Sequence, residues 1–390
     1  MKIGSRVFGS IFIIAGTAIG AGMLALPIVT GALGFRCSIV LLALCWAAMT
    51  LTAFLILHVN MAFGEHSNFS SMAKHTIGRF GFALTWICCL GLLYALTAAY
   101  MTGGAALIGH SFRDVFHIHA WPKANAVLFT LVLGSFVYFG TRSVDYATRL
   151  FLSLKICAFL LMVILLFPYI RVENLALSSR EKLGWLIALP IVMTSFGFHN
   201  VIPSLRDYLH SDVKRLRRIL WVGSLGLLLI YFLWELAVLG TASDLNNKAG
   251  IVGLFATLAS HLHQPALSFA VNFFADIAVS TSFLGVSMSL FHFVRDGFSL
   301  NRGRSGEKLL AAFVTFIPPL CFAWFYPEGF VLALNYASIF VVVLLILIPV
   351  WMTIMLKRKG KKSAYPFRLH WIGSLFLLGF SALVIAAQFI

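Results

Sequence analysis

The chain has 390 residues, of which 61% are hydrophobic and only 11% are charged, and its mean hydropathy is +0.95. Soluble domains carry about 25% charged residues, so this composition excludes a soluble protein and predicts an all-α integral membrane protein. The net charge of +16 does not call for a nucleic-acid partner, because the position of the charges along the chain explains it.

Runs of about 20 apolar residues are long enough to cross a bilayer as helices. The sequence predicts eleven transmembrane helices in one membrane domain, 1–390, without a separate soluble part. Spans nine and ten must be neighbours, because only a short turn around Pro327 joins them. The predicted spans lie near 7–33, 36–60, 80–109, 123–141, 148–170, 184–204, 217–240, 266–294, 308–325, 329–356 and 371–389.

The basic residues predict the orientation of the chain. With the N-terminus inside, the inner segments hold 21 of the 29 Lys and Arg residues and the outer segments hold seven. Loops on the cytoplasmic side of a membrane carry an excess of Lys and Arg. The sequence therefore predicts a cytoplasmic N-terminus and a periplasmic C-terminus. The remaining basic residue, Lys155, lies within span five.

The first span is interrupted in its middle. It contains Gly16 to Gly22 (Gly-Thr-Ala-Ile-Gly-Ala-Gly) and then Pro27, and glycine and proline weaken a helix. Small residues also suit close packing between helices. A break inside a membrane survives only where protein or a cavity surrounds it, and there its backbone groups can bind a ligand.

A second interruption falls in span six, where Thr194 to Asn200 lies between Pro190 and Pro203. Spans one and six each open a set of five spans, and because five crossings is an odd number, the second set is inverted. The sequence thus predicts a first inverted repeat at 1–170, a second at 184–356 and an extra helix at 371–389. Paired broken helices in inverted repeats indicate the central site of a transporter. Free N–H and C=O groups at both breaks suit a zwitterion such as an amino acid.

The stretch from Ala15 to Pro27 resembles the first-helix signature of the hydroxy and aromatic amino acid permeases. Thr194 to His199 resembles their sixth helix, and Tyr94 to Tyr100 and Ala278 to Val286 also match. The similarity covers essentially the whole chain and is closest to tyrosine-specific permeases of bacteria. It implies a proton symporter of the inner membrane with a LeuT-like, broken-helix, five-plus-five inverted repeat. Tryptophan permeases share most of the pattern.

The predicted substrate site draws on three spans. Backbone groups of span one meet the carboxylate and amine of the substrate, and span six supplies carbonyls and ring walls. His199 has two possible roles: it is a polar anchor or proton carrier for transport, or it caps the broken backbone. Of Phe196 and Phe198, at most one is expected in the pocket. The predicted substrate-binding residues are Thr17, Ala18, Ile19, Gly20, Ala21, Gly22, Tyr94, Thr97, Ser195, Phe196, Gly197, Phe198 and His199.

Ionisable residues within a membrane are costly, so they are candidates for function. Lys155 resembles a lysine on the fifth helix of proton-coupled transporters of this fold, which occupies the position of the sodium ion in sodium-coupled transporters. The alternative is that the Lys155 side chain snorkels to the lipid headgroups. Asp276 has Asn272 and Ser280 one turn away on either side, and this polar face predicts either a proton relay or a structural hydrogen-bond network. Glu235 lies near the outer end of span seven and is expected to be solvated.

Other functions have weaker support. A passive channel would show rings of charge or a filter motif, and an enzyme would show a catalytic motif such as His-Glu-x-x-His; the sequence has neither. The six cysteines lie in apolar stretches without metal-ligand spacing, so we expect no metal site and no cofactor. The expected partners are tyrosine or a related aromatic amino acid, protons and membrane lipid. Tryptophan or broad aromatic transport and sodium coupling are the open alternatives, and the oligomeric state is unknown.

Overall fold

A computed structural model of the protein describes residues 10–11, 14, 16–17, 19–64, 67–116, 121–176, 183–242, 250–262, 265–298, 305–365, 367 and 370–389. The regular elements of these residues are all helices, as the composition predicts. The α-helices are α1 (Ala21–Thr30), α2 (Phe35–Asn60), α3 (Phe69–Thr76), α4 (Arg79–Phe116), α5 (Pro122–Phe139), α6 (Thr141–Leu166), α7 (Val172–Ala176), α8 (Gly184–Ser195), α9 (Ile202–Tyr208), α10 (Val213–Thr241), α11 (Gly250–Leu262), α12 (Pro265–Gly297), α13 (Ser305–Phe325), α14 (Phe330–Val341), α15 (Ile348–Arg358) and α16 (Trp371–Ala386).

Ten helical segments of the described residues are long and apolar enough to cross a membrane. They correspond to predicted spans two to eleven. One of them joins α14 to α15 through a π-helical stretch, Val342–Leu347. The first predicted span, 7–33, falls partly outside the described residues and contributes a shorter apolar helix, Gly22–Leu33. The structure thus supports a multi-pass membrane protein with ten long apolar helices.

The boundary between spans four and five differs from the prediction. The sequence suggested a polar connection before residue 148, but α6 already begins at Thr141, and only Gly140 separates it from α5. Gly140 has a φ of 113°, in the region that favours glycine. A single residue therefore turns the chain, and the polar residues Arg142, Asp145 and Arg149 form the first turns of α6 instead of a loop.

Long helices enclose the two interrupted segments. The short helices α1 and α8 pack against each other, and α8 also contacts α2 and α14. Behind them, α12 packs against both α4 and α6, and α10 packs against α2. Met23 and Leu24 of α1 and Val192 and Met193 of α8 are completely buried. The α1–α8 contact therefore lies at the core of the described bundle.

One end of the bundle is held by a buried arginine. The guanidinium of Arg206 on α9 donates to the carbonyl oxygens of Asn60, Phe63 and Gly64, and its Nε donates to the Ser211 hydroxyl at 3.1 Å. These carbonyls lie at and beyond the C-terminus of α2, where a helix leaves its last C=O groups without partners and carries partial negative charge. Arg206 therefore joins the half of span six that follows the break to α2.

We expect Arg206→Ala to destabilise the protein by about 3 kcal/mol, because it removes several charge-assisted hydrogen bonds between a buried guanidinium and the chain at the end of α2. The measurement is thermal unfolding of purified protein in detergent. Arg218→Ala is the matched control, since Arg218 is an exposed arginine on the neighbouring helix α10. Equal melting temperatures for the two variants would contradict this role.

Candidate functional site at two interrupted helices

The break in the first span lies at Ile19 and Gly20. The described residues from 10 to 17 are helical, 19–20 form a bend, and α1 begins at Ala21. Gly20 precedes α1 in an extended conformation, with φ −161° and ψ −156°. The first turn of α1 has neither a side-chain cap nor an acidic residue. The N–H groups that open a helix have no intrahelical acceptor, so this end of α1 offers donors and partial positive charge.

Lys155 reaches this break from the middle of α6. Its Nζ donates to the carbonyl oxygen of Ile19 at 2.5 Å and to the hydroxyl oxygen of Thr281 on α12 at 3.3 Å. The lysine is 2% exposed, so it does not snorkel to the headgroups. Thr281 also lies 2.9 Å from the Ile277 carbonyl oxygen. The ammonium group therefore joins three segments, the interrupted first span, α6 and α12.

The break in span six follows the last residue of α8. Phe196 to Phe198 are not helical, His199–Val201 is one turn of 3₁₀ helix, and α9 begins at Ile202. The amides of Phe196 and Gly197 donate to the carbonyl oxygens of Met193 and Thr194. Both Phe196 and Phe198 are completely buried. Neither therefore faces lipid, and the prediction that at most one of them lies in the substrate pocket stays a prediction.

The two breaks touch each other through Ser195 and Gly22. The Ser195 hydroxyl lies 3.1 Å from the Gly22 carbonyl oxygen and 3.0 Å from the Ile191 carbonyl oxygen. A Cβ atom on Gly22 would come within 3.3 Å of the Ser195 Oγ, which is tighter than normal contact. The close approach of the interrupted ends of α1 and α8 therefore requires a small residue at position 22.

Two aromatic residues of α10 bind the backbone beside the breaks. The Tyr231 hydroxyl donates to the Ser195 carbonyl oxygen at 2.6 Å, and the Trp234 indole N–H donates to the Met23 carbonyl oxygen at 2.8 Å. The Phe196 ring packs edge-on against Tyr231, with 4.9 Å between centroids. The helix α10 thus supplies side-chain donors to both interrupted segments.

His199 is completely buried and bonds to α2. Its Nε2 lies 2.9 Å from the Thr52 hydroxyl oxygen, which in turn lies 3.0 Å from the Met49 carbonyl oxygen. If the threonine donates to Met49, it accepts from the histidine, so Nε2 carries the proton. Nδ1 is then an acceptor, and it has no hydrogen-bond partner among the described residues. His199 therefore fixes the broken segment to α2 and retains one unused nitrogen.

The predicted residues of span three occupy a different position. The Tyr94 hydroxyl donates to the Val314 carbonyl oxygen on α13 at 2.7 Å. The buried Thr97 hydroxyl donates within its own helix to Leu93. Tyr94 thus bonds to α13 and Thr97 bonds within α4, whereas Tyr100, further along α4, is buried.

Three predicted residues of span one add little side-chain chemistry. Thr17 is exposed, and its hydroxyl donates to the Ile14 carbonyl oxygen. Ala18 and the side chain of Ala21 lie outside the described part of the chain. The chemistry of this break therefore rests on the backbone of Ile19, Gly20 and Gly22.

Asp276 lies apart from Lys155. It lines a cavity of about 340 Å³ together with Ser280 of the same helix, Ser111 of α4 and Phe129 of α5. Thr281, also on α12, instead contacts Lys155 on α6. The structure therefore separates the two residues that the sequence suggested for proton coupling, and it places Asp276 on the side of α12 that faces α4 and α5.

The expectation that Glu235 is solvated is wrong. Its side chain is 0% exposed, and its carboxyl oxygens lie 3.0 and 2.9 Å from the Thr30 hydroxyl oxygen at the end of α1. The C-terminal end of α10 is covered, because the Arg171 amide and the Asn174 side chain both donate to the Gly240 carbonyl oxygen. Position near the end of a span is thus a poor guide to exposure here.

Sequence reasoning did not single out Tyr231, Trp234 or Thr52 as site residues. A tyrosine and a tryptophan within an apolar span each need a partner for the polar atom, and this was the available signal. The identity of the acceptor depends on how α10 packs against the two breaks, which no local pattern encodes.

These features define a multi-pass membrane protein with a polar backbone site at two crossed, interrupted helices. Residues 4–389 match the tryptophan/tyrosine permease family, and the chain belongs to this family. It is therefore a permease and not an enzyme.

The chain is 34% identical to the tyrosine-specific transport system 1 of Haemophilus influenzae, over 96% of this chain and 93% of the relative. It is 32% identical to the tryptophan-specific transport protein of the same organism, over 96% and 92% of the two chains. It is 33% identical to glutamine transporter 2 of Aliivibrio fischeri, over 92% of each chain.

We expect Gly20→Ala to impair transport, because a Cβ at this position would collide with the Ser282 Oγ on α12. Overpacking of this kind costs about 1–3 kcal/mol. Ser282→Ala removes the colliding oxygen, so the double variant Gly20→Ala/Ser282→Ala should recover most of the uptake that Gly20→Ala loses. The measurement is initial uptake rate at equal membrane expression. A double variant no better than Gly20→Ala would show that the collision with Ser282 is not the cause.

Proposed function

We propose that this protein is a secondary active transporter that imports an aromatic amino acid, with tyrosine favoured, across the bacterial inner membrane by proton symport. The observation that carries the proposal is the contact of the Lys155 ammonium with the Ile19 carbonyl oxygen. This contact places a titratable cation at the point where the first span is interrupted.

The interrupted helices can bind both charges of an amino acid. The start of α1 has no side-chain cap, and the N–H groups and partial positive charge at the start of a helix suit a carboxylate. The end of α8 lies against it and presents carbonyl oxygens with the opposite partial charge. In this proposal the backbone of residues 17–22 and 195–199 forms the site. Because Ile19, Phe196 and Phe198 are buried, access for the substrate requires the surrounding helices to move.

Lys155 is the proposed coupling group. A cation held against a carbonyl oxygen and a threonine hydroxyl takes the place that a sodium ion would otherwise fill. A lysine shielded from water can exchange its proton more readily than an exposed one. Loss of the proton would remove the charge that binds Ile19, so protonation and the geometry of the break are linked. A sodium ion beside the same ammonium would be repelled, which disfavours sodium coupling.

The proposed architecture is the five-plus-five inverted repeat, with residues 1–170 and 184–356 as the two repeats and 371–389 as the extra helix. The crossing of two interrupted segments through Ser195 and Gly22 supports it. The excess of basic residues on one side supports an inside N-terminus and an outside C-terminus. Asp276 is kept as a second candidate for proton coupling, and its cavity with Ser280 gives it access to polar groups.

The substrate class rests on the relatives. Two of the similar proteins are named for tyrosine and tryptophan and a third for glutamine, at 32–34% identity. Such close values do not rank the three substrates. The buried rings beside the two breaks, Phe196, Phe198, Tyr231 and Trp234, favour an aromatic side chain over an amide, because aromatic ligands bind in apolar, ring-lined pockets.

The test is uptake of labelled tyrosine by purified protein in liposomes, with an inward proton gradient and no sodium. Unlabelled tryptophan, phenylalanine and glutamine are added in parallel at excess. We expect accumulation that a protonophore abolishes. Competition by tryptophan would assign a broader aromatic permease, and competition by glutamine alone would overturn the aromatic assignment. Accumulation only with sodium would overturn the coupling role of Lys155.

Lys155→Ala should retain tyrosine exchange but lose concentrative uptake, because binding and translocation remain while the proton link is removed. The accumulation ratio is expected to fall to about one, since a gradient that is not coupled to the substrate cannot concentrate it. Lys123→Ala is the matched control, because Lys123 is exposed at the start of α5 and lies over the Trp324 ring. Accumulation by Lys155→Ala at the level of the control would count against the coupling role.

A further inference from the structure

The outer end of α1 contacts a buried acid that the proposed mechanism does not use. Glu235 is completely buried on α10. Its two carboxyl oxygens lie 3.0 and 2.9 Å from the hydroxyl oxygen of Thr30, the last residue of α1. The preceding residue, Trp234, donates to the Met23 carbonyl oxygen near the start of α1. Consecutive residues of α10 thus bind both ends of α1.

The hydrogen count at Thr30 determines the protonation of Glu235. The Thr30 Oγ1 also lies 2.8 Å from the Leu26 carbonyl oxygen, so three acceptor oxygens surround a hydroxyl that has one hydrogen. A helical threonine regularly donates to the carbonyl four residues before it. When Thr30 donates to Leu26, its contact with Glu235 is a hydrogen bond only if the carboxyl group itself carries a proton and donates.

The alternative is an ionised carboxylate that accepts one hydrogen from a neutral hydroxyl. A buried charge is costly unless it is paired and fully hydrogen-bonded. Glu235 is in no salt bridge with a described residue; its side-chain contact is with Thr30. A neutral acid is therefore the state that fits this site.

The elements packed against α10 are α1, α2, α6, α7, α11 and the 3₁₀ turn Phe167–Tyr169, and α10 also contacts Ser195 of α8 and Phe274 of α12. No titratable group lies on α8, and those on α12 are Asp276, His292, Arg295 and Asp296. On α1 there is no titratable group, and Arg36 on α2, Glu173 on α7 and Arg171 before it are exposed. Lys155 on α6 is engaged by Ile19 and Thr281. The other titratable groups of these elements and of α10 are Cys37, Cys45, His58, Arg142, Asp145, Tyr146, Arg149, Cys157, Tyr169, Lys214, Arg215, Arg217, Arg218 and Tyr231, and His261, whose side chain is not described.

We propose that Glu235 is a proton-binding site, occupied while the end of α1 packs against α10. Separation of Thr30 from Glu235 would remove the only hydrogen bond that the carboxyl group makes among the described residues and admit water, where a carboxyl group ionises at neutral pH. Movement of α1 would then release this proton. A contribution of this proton to transport rests on the proposed proton symport. Proton binding at Glu235 does not rest on that proposal.

The first experiment is infrared spectroscopy of purified protein in lipid at neutral pH. A neutral carboxylic acid has a C=O stretching band that a carboxylate lacks. We expect this band in the wild type and its loss in Glu235→Gln, with Asp276→Asn measured beside it to identify any band from the other membrane-embedded acid. Identical wild-type and Glu235→Gln spectra in this region would overturn the proposal.

A second variant tests the link to α1 without altering the acid. Thr30→Val keeps the shape of the side chain but removes the hydroxyl oxygen, so the Glu235 band should shift to the higher frequency of an acid without a hydrogen bond. An unshifted band would overturn the role of Thr30. Neither measurement depends on transport, so a wild type without proton-driven uptake would defeat the proposed function and leave the test of Glu235 intact.

Discussion

A broken helix inside a membrane leaves backbone N–H and C=O groups that lipid cannot satisfy, and this constraint governs the centre of the structure. Four carbonyl oxygens at the two breaks accept from side chains, and three of those side chains belong to other, uninterrupted helices. The four donor–acceptor pairs are Lys155 to Ile19, Ser195 to Gly22, Trp234 to Met23 and Tyr231 to Ser195. The carbonyl groups that could bind a substrate or an ion are therefore also the groups that hold the bundle together.

This arrangement has a consequence for movement. Because α6 and α10 hold the breaks through single side-chain donors, a shift of α1 changes several hydrogen bonds at once. The donors differ in kind. Tyr231 and Trp234 are neutral at physiological pH and keep their bonds, whereas Lys155 and Glu235 can change charge. In the proposed mechanism, fixed contacts and contacts that depend on protons therefore lie close together, at the two breaks and along α1.

The sequence predicted the helical class, spans two to eleven and the positions of both breaks, because apolar run length and proline or glycine content are local properties. The reason for the glycines was only partly predicted. Gly20 has an extended backbone that any residue adopts, and the demand for glycine comes from the nearby Ser282 hydroxyl. That is a contact between residues far apart in sequence, and it appears only after α1 packs against α12.

Side-chain direction was the least predictable property. Tyr94 and Tyr100 share a helical stripe in the sequence, yet Tyr94 is half-buried and bonds to α13 whereas Tyr100 is buried, because a long helix contacts different neighbours at different heights. In the same way Asp276 and Thr281, five residues apart on α12, face different helices. Sequence periodicity identifies which residues share a face of a helix. The hydrogen-bond partner of each of these residues depends on which neighbouring helix packs against that part of the face.

Glu235 shows why depth within a membrane cannot be read from position in a span. It lies six residues before the end of α10, where a straight helix in lipid would reach the headgroups. The short helix α7 packs over this end, and Arg171 and Asn174 pair with its terminal carbonyl at Gly240. A segment that the sequence treats as an outer connection therefore extends the dry interior outward by more than a helical turn. An acid placed there is costly to ionise because it is buried, and it meets the Thr30 hydroxyl at the end of α1, whereas the Lys155 ammonium meets the Ile19 carbonyl oxygen at the break before α1.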